Sequence, residues 1–153
     1  WWEYPILDVA PKMLSNDVCA AIAIAQLRKL DRNQALRRSR WDRYQRELAH
    51  FDWLVRPTDA SRNERHSYFT YSIRLVSEGR RDVLARFLYE RGIYTTLRYH
   101  PLHLNPIYQS AARLPVSEKL NRTALSIPIH PALSDQDQDQ ILSAMEEFGR
   151  QFT

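Results

Sequence analysis

The sequence predicts an α+β fold in which a long N-terminal helical segment leads into a mostly antiparallel sheet of about three strands, with helices packed on one face. Three observations predict it. Apolar residues recur at threes and fours across residues 15 to 50; aromatic and β-branched residues alternate with polar ones through "HSYFTYSIRLV"; and the chain closes on a capped, one-sided apolar pattern after Ser134.

The helical segment opens on "SND", residue types that satisfy the free N–H groups of a helix start, with Asp17 where the helix dipole favours a negative charge. Val18, Ala21, Ile22, Ala25, Leu27 and Leu30 follow, and Trp41, Tyr44, Leu48 and Phe51 resume the spacing, so the segment reads as one helix or as two with a bend near Asp31 to Asn33. "CAAIAIA" is apolar nearly all round and is expected to be buried on several sides, with Cys19 a small core residue. "RPTDAS" is a loop. In the strand beyond it, Phe69, Tyr71, Ile73 and Leu75 form the inward set against Tyr68, Thr70, Ser72 and Arg74. A short helix from about Arg81 to Arg91 ends at Gly92, and "IYTTLRY" is the next strand. A helix near Ser117 to Arg122 and a third strand, "ALSIPI", precede the last helix. There Ser134 and Asp137 resemble a capping box, and Ile141, Leu142, Met145, Phe148 and Phe152 share a face.

With 153 residues and 44% apolar content the chain is read as a single domain spanning residues 1 to 153. Its longest small-apolar run, Ala20 to Ala25, is far shorter than the roughly 20 residues a bilayer requires, so no membrane span is expected. A lone cysteine agrees with a reducing, cytoplasmic setting. The start, "WWEYPILD", is neither a methionine nor a secretory signal, and is read as following a segment that is not part of this sequence. The net charge of +4 is mild and interleaved with acids.

Eight basic residues between Arg28 and Arg46, with Trp41 and Tyr44 among them, could track a phosphate backbone. The aromatics fall on the apolar spacing, however, which favours arginines on a solvent face and makes nucleic acid an unfavoured partner. His100 and His103 lack the further ligands that a metal site needs. No phosphate-binding glycine loop and no nucleophile motif is present. What stands out is "RYHPLHLNPIY", residues 98 to 108, a polar, aromatic loop too proline-broken to be a helix.

Three segments taken in order, "KMLSNDVCAAIAIAQLRKLD", "GIYTTLRYHPLHLNPIY" and "PVSEKLNRTALSIPIHPALSDQD", resemble the C-terminal part of the DegT/DnrJ/StrS-like sugar aminotransferases, pyridoxal-phosphate (PLP) enzymes of fold type I. The resemblance implies that the chain is the small domain of such an enzyme, about the last two fifths of a full-length member. It implies that residues 98 to 108 face the nucleotide-linked keto-sugar, with Arg98, Tyr99, His100 and His103 as the substrate-binding residues and no metal. It also places Lys12 where members reach the neighbouring subunit's cofactor phosphate, implying a homodimer with shared sites; Leu14, and Ala10 with Pro11, depart from the family pattern there. The lysine that holds PLP lies in the family's large domain, and none of Lys12, Lys29 and Lys119 stands in its motif. The expected activity of the parent is therefore amino transfer from glutamate or glutamine to a sugar used in polysaccharide or antibiotic synthesis, with this chain inactive alone and holding no PLP by itself. Two rival readings remain: a free-standing dimerisation or protein-interaction domain built on Val18 to Leu30, and a basic nucleic-acid-binding module.

Overall fold

The computed structural model of the chain describes residues 16–97 and 100–152. Its elements run α1 (Asp17–Leu27), α2 (Leu30–Glu47), β1 (Leu54–Val55), β2 (Tyr71–Leu75), α3 (Arg80–Tyr89), two single 3₁₀ turns (Leu102–Leu104 and Pro106–Tyr108), α4 (Pro115–Thr123), β3 (Ala124–Ile127) and α5 (Asp135–Phe152). The class is α+β, as the pattern predicts: five α-helices and an antiparallel sheet in the order β1-β2-β3 among the described residues.

Asn16 caps α1, its side chain accepting from the Cys19 N–H at 3.0 Å. The helical segment then breaks at Arg28 and Lys29, a little before the bend the spacing suggests. On α2 the apolar stripe does what its period dictates: Trp41, Tyr44 and Leu48 are fully buried, the Trp41 and Tyr44 rings lie 4.8 and 4.9 Å from Tyr71 of β2, and the Tyr44 hydroxyl donates to the Pro128 carbonyl at 2.9 Å. The arginines on the flanks of that stripe, Arg40 and Arg43, pair with Asp135 and Asp139 at the start of α5, and Gln138 donates to the Arg40 carbonyl at 2.9 Å. Acidic residues in the first turn suit the helix dipole, so this seam favours both helices.

β2 supplies the register. Tyr71 opposes Ile127 and Ile73 opposes Leu125, all four buried on the core face, while Ser72 opposes Ser126 on the other. Against the core face lie Leu84 and Leu88 of α3 and Ile141, Met145 and Phe148 of α5, with Leu142 and Phe152 at its margin. Ser134 and Asp137 form the expected box: Asp137 N–H donates to the Ser134 hydroxyl at 3.0 Å, and the Asp137 carboxylate accepts from Ser134 N–H at 3.0 Å.

Four expectations are corrected. "IYTTLRY" is not a strand among its described residues; Thr96 alone forms a bridge, to Ser126. The strand that completes the sheet is instead β1, Leu54–Val55, too short to carry any periodicity that could announce it. Phe69 is not on the core face but 59% exposed, because β2 begins only at Tyr71 and the backbone at Tyr68 turns left-handed, with φ 50°. Finally, α1 buries none of its residues: Val18 is 69% and Leu27 65% exposed, and Cys19 is exposed rather than in the core. A helix apolar on every side has no face that water favours, and nothing in the described chain covers it.

Candidate functional site

The bridge between Thr96 and Ser126 is a closed pair. Thr96 N–H donates to the Ser126 carbonyl at 3.0 Å, and Ser126 N–H donates back at 2.8 Å. It ties the chain at Thr96 to β3. Beside the bridge lies an open cavity of about 500 Å³, lined by Phe69, Thr70, Tyr94, Thr96, Ser126 and His130 among others. The Ser126 hydroxyl is buried without a hydrogen-bond partner among the described residues.

From His100 the loop folds into its two 3₁₀ turns. Leu104 N–H donates to the Pro101 carbonyl at 3.0 Å and Tyr108 N–H to the Asn105 carbonyl at 3.1 Å. Prolines open both turns, where a missing N–H costs nothing and a fixed φ narrows the unfolded alternatives. Asn105 joins the turns and is 97% buried, its amide 3.4 Å from the Leu102 carbonyl.

The two histidines part company. His103 turns onto α4: its Nε2 lies 3.2 Å from Glu118 Oε1, and the side chain is only 7% exposed. Glu118 also accepts the Leu114 N–H at 2.9 Å. That N–H first, and His103 second, hold the Glu118 carboxyl below the usual carboxylate range. α4 is itself braced, with Arg122 Nε donating to Glu78 at 2.9 Å. His100 is half-buried, and its Nδ1 has no hydrogen-bond partner among the described residues. Lys12, Arg98 and Tyr99 lie outside the described residues. Sequence reasoning missed Glu118 and Asn105. A glutamate in the first turn of a proline-initiated helix is a capping signal, yet nothing in its spacing ties it to a histidine fifteen residues earlier.

This proline-stiffened rim, which follows the Thr96 bridge and is braced by a helix cap, lies within the second of the three motifs. A model of the DegT/DnrJ/EryC1/StrS aminotransferase family matches residues 7–146. The chain belongs to this family. It is 36% identical over 137 residues to a dTDP-4-dehydro-2,3,6-trideoxy-D-glucose 4-aminotransferase of Saccharopolyspora spinosa, covering 90% of this chain and 35% of that enzyme. The crystal structure of the aminotransferase TlmJ from Streptoalloteichus hindustanus superposes with a TM-score of 0.87 at 36% identity, over 100% of this chain and 41% of that one. The fold also matches Spr1654 of Streptococcus pneumoniae, solved in a PLP form, with a TM-score of 0.81 at 23% identity, over 98% of this chain and 40% of that one. The chain thus spans roughly two fifths of the length of these family members.

The family implies PLP, which acts as an electron sink for amino-group chemistry when bound through a lysine. The described residues do not fit that group: their two lysines, Lys29 in the break between α1 and α2 and Lys119 on α4, are exposed, and neither lines the cavity beside the Thr96–Ser126 bridge. No reaction step through PLP is assigned to them. Among the described residues no helix is long and apolar enough to cross a membrane.

Proposed function

We propose that the chain is the C-terminal small domain of a PLP-dependent aminotransferase acting on a nucleotide-linked keto-sugar, cytoplasmic and homodimeric in its parent form. The observation that carries this reading is the family match across residues 7–146 in a chain that spans only 35% of a sugar 4-aminotransferase. In it, residues 98 to 108 form the rim that meets substrate. Arg98 supplies a permanently charged, forked donor for phosphate or sugar oxygens. Tyr99, His100 and His103 belong to the same rim, and the two prolines limit the entropy lost when substrate orders it. Lys12 reaches a cofactor phosphate in the neighbouring subunit. The chain by itself does not transaminate, since the proton transfers of that reaction require a lysine it does not place.

Adding PLP to the purified chain tests this: the absorbance spectrum should be the sum of the two components, whereas a new visible band abolished by substituting any one of Lys12, Lys29 and Lys119 would overturn it. The native polypeptide should also be heavier than 18.1 kDa. A mature product of that mass would remove the small-domain reading.

One observation favours a second reading, association through α1, whose Val18, Ile22, Ile24 and Leu27 are all more than half exposed. The nucleic-acid reading finds less support, because Arg38, Arg40 and Arg43 of the basic tract are paired with Asp42, Asp135 and Asp139.

A further inference from the structure

Glu118 joins two parts of the molecule through one oxygen. It stands in the first turn of α4, and Oε1 accepts both the Leu114 N–H, at 2.9 Å, and the ring of His103, at 3.2 Å. The first bond satisfies a donor at the helix start that would otherwise lack a partner. The second reaches a ring almost wholly withdrawn from solvent. A carboxylate can only accept, so Nε2 of His103 must carry the hydrogen, and the tautomer is set by Glu118. A side chain already engaged in capping, on a helix braced by the pair of Arg122 and Glu78, has little freedom to follow a moving loop. His103 sits in the middle of the turn Leu102–Leu104, so holding its ring holds the backbone from Pro101 to Asn105.

His100 is placed differently. Its Nδ1 is buried yet has no partner among the described residues, which leaves an imidazole nitrogen with unused hydrogen-bonding capacity at the start of the rim. A buried polar atom of this kind gains from a ligand that supplies the missing partner.

We infer that Glu118 is a positioning residue for this rim: it commits His103 to anchoring the loop and leaves His100 as the imidazole that hydrogen-bonds the sugar or phosphate oxygens of the substrate. The role of His100 rests on the proposed aminotransferase function; the anchor does not.

The anchor is tested on the chain itself, labelled with ¹⁵N at histidine. His103 should be the Nε2–H tautomer, and Glu118→Ala should return it to the mixture of a free imidazole. Amide exchange at Leu104 and Tyr108 should quicken about tenfold in His103→Ala and recover in His103→Gln, which keeps a donor near the Nε2 position, while the Val76 amide, bonded to the Trp53 carbonyl, stays unchanged. A His103 tautomer indifferent to Glu118→Ala, or exchange that rises equally at Val76, would sink the anchor. The His100 role is tested in a full-length enzyme carrying this sequence as its C-terminal part. His100→Ala should raise KM for the nucleotide-sugar about tenfold with kcat within about twofold. An unchanged KM in His100→Ala would overturn its role. A wild-type enzyme that turns over no nucleotide-sugar would overturn that role together with the functional proposal, and the tautomer would still decide the anchor.

Discussion

Tyr44 and Tyr71 share a core and differ by one hydrogen bond. Burial pushes the pKa of both hydroxyls above the usual tyrosine range, for Tyr44 with a further contribution from Tyr71 beside it, so both are neutral at any ordinary pH. Tyr44 donates to the Pro128 carbonyl; the Tyr71 hydroxyl is buried with no partner among the described residues. Tyr44→Phe should therefore cost about 1–2 kcal/mol in urea unfolding, and Tyr71→Phe should cost nothing measurable or stabilise slightly. Equal losses would show that the Tyr71 hydroxyl has a partner after all. The Glu118 carboxylate makes a second residue-scale case. Its folded pKa lies below the unfolded one, so its contribution is present above the unfolded carboxylate range and is lost as pH falls through the folded value. The urea midpoint should therefore fall on acidification through that window by more in the wild type than in Glu118→Gln, which has no carboxylate to protonate. At this scale the sequence was legible wherever a period applied: Trp41 and Tyr44 fall on the apolar stripe and are buried. It was not legible at Phe69, because the left-handed backbone at Tyr68 follows no composition rule.

Among the elements, α5 shows how closely a helix can be held. Gly149 lies against Trp53, and a Cβ there would stand 2.8 Å from Trp53 Nε1. Alanine improves helix propensity by about 1 kcal/mol, but forcing the indole aside costs about 1–3 kcal/mol. Gly149→Ala should thus lower stability by about 1 kcal/mol net, read as a shift of the urea midpoint without a change of slope. A gain in stability would mean that the indole moves freely. The helices were legible because each spans several turns, enough for the 3.6-residue period to repeat. β1 has two residues and no repeat, and its place is decided by partners, Leu54 facing Leu75 and Val55 facing Arg74. The candidate site was legible in the same partial way. The prolines and histidines of the rim mark a loop with chemistry, but Glu118, which holds it, is contiguous with the rim only in space.

For the whole molecule, α1 is the feature that asks for more protein. Its apolar residues surround the helix, so no single orientation buries them, and in the described chain they face water. Sedimentation of the isolated chain should depend on concentration, and Ile22→Glu with Leu27→Glu should abolish that dependence. A wild-type monomer at every concentration would remove association through α1. Taken by itself, the amino-acid sequence determined the α+β class, the helix stripes and caps, and the family motifs, because each depends on residues within a turn or two of one another or on a pattern kept in order along the chain. Only the tertiary structure decided the two-residue strand, the exposure of α1 and of Cys19, and the contact between His103 and Glu118. Those follow from contacts between residues far apart in the chain, which local spacing cannot encode.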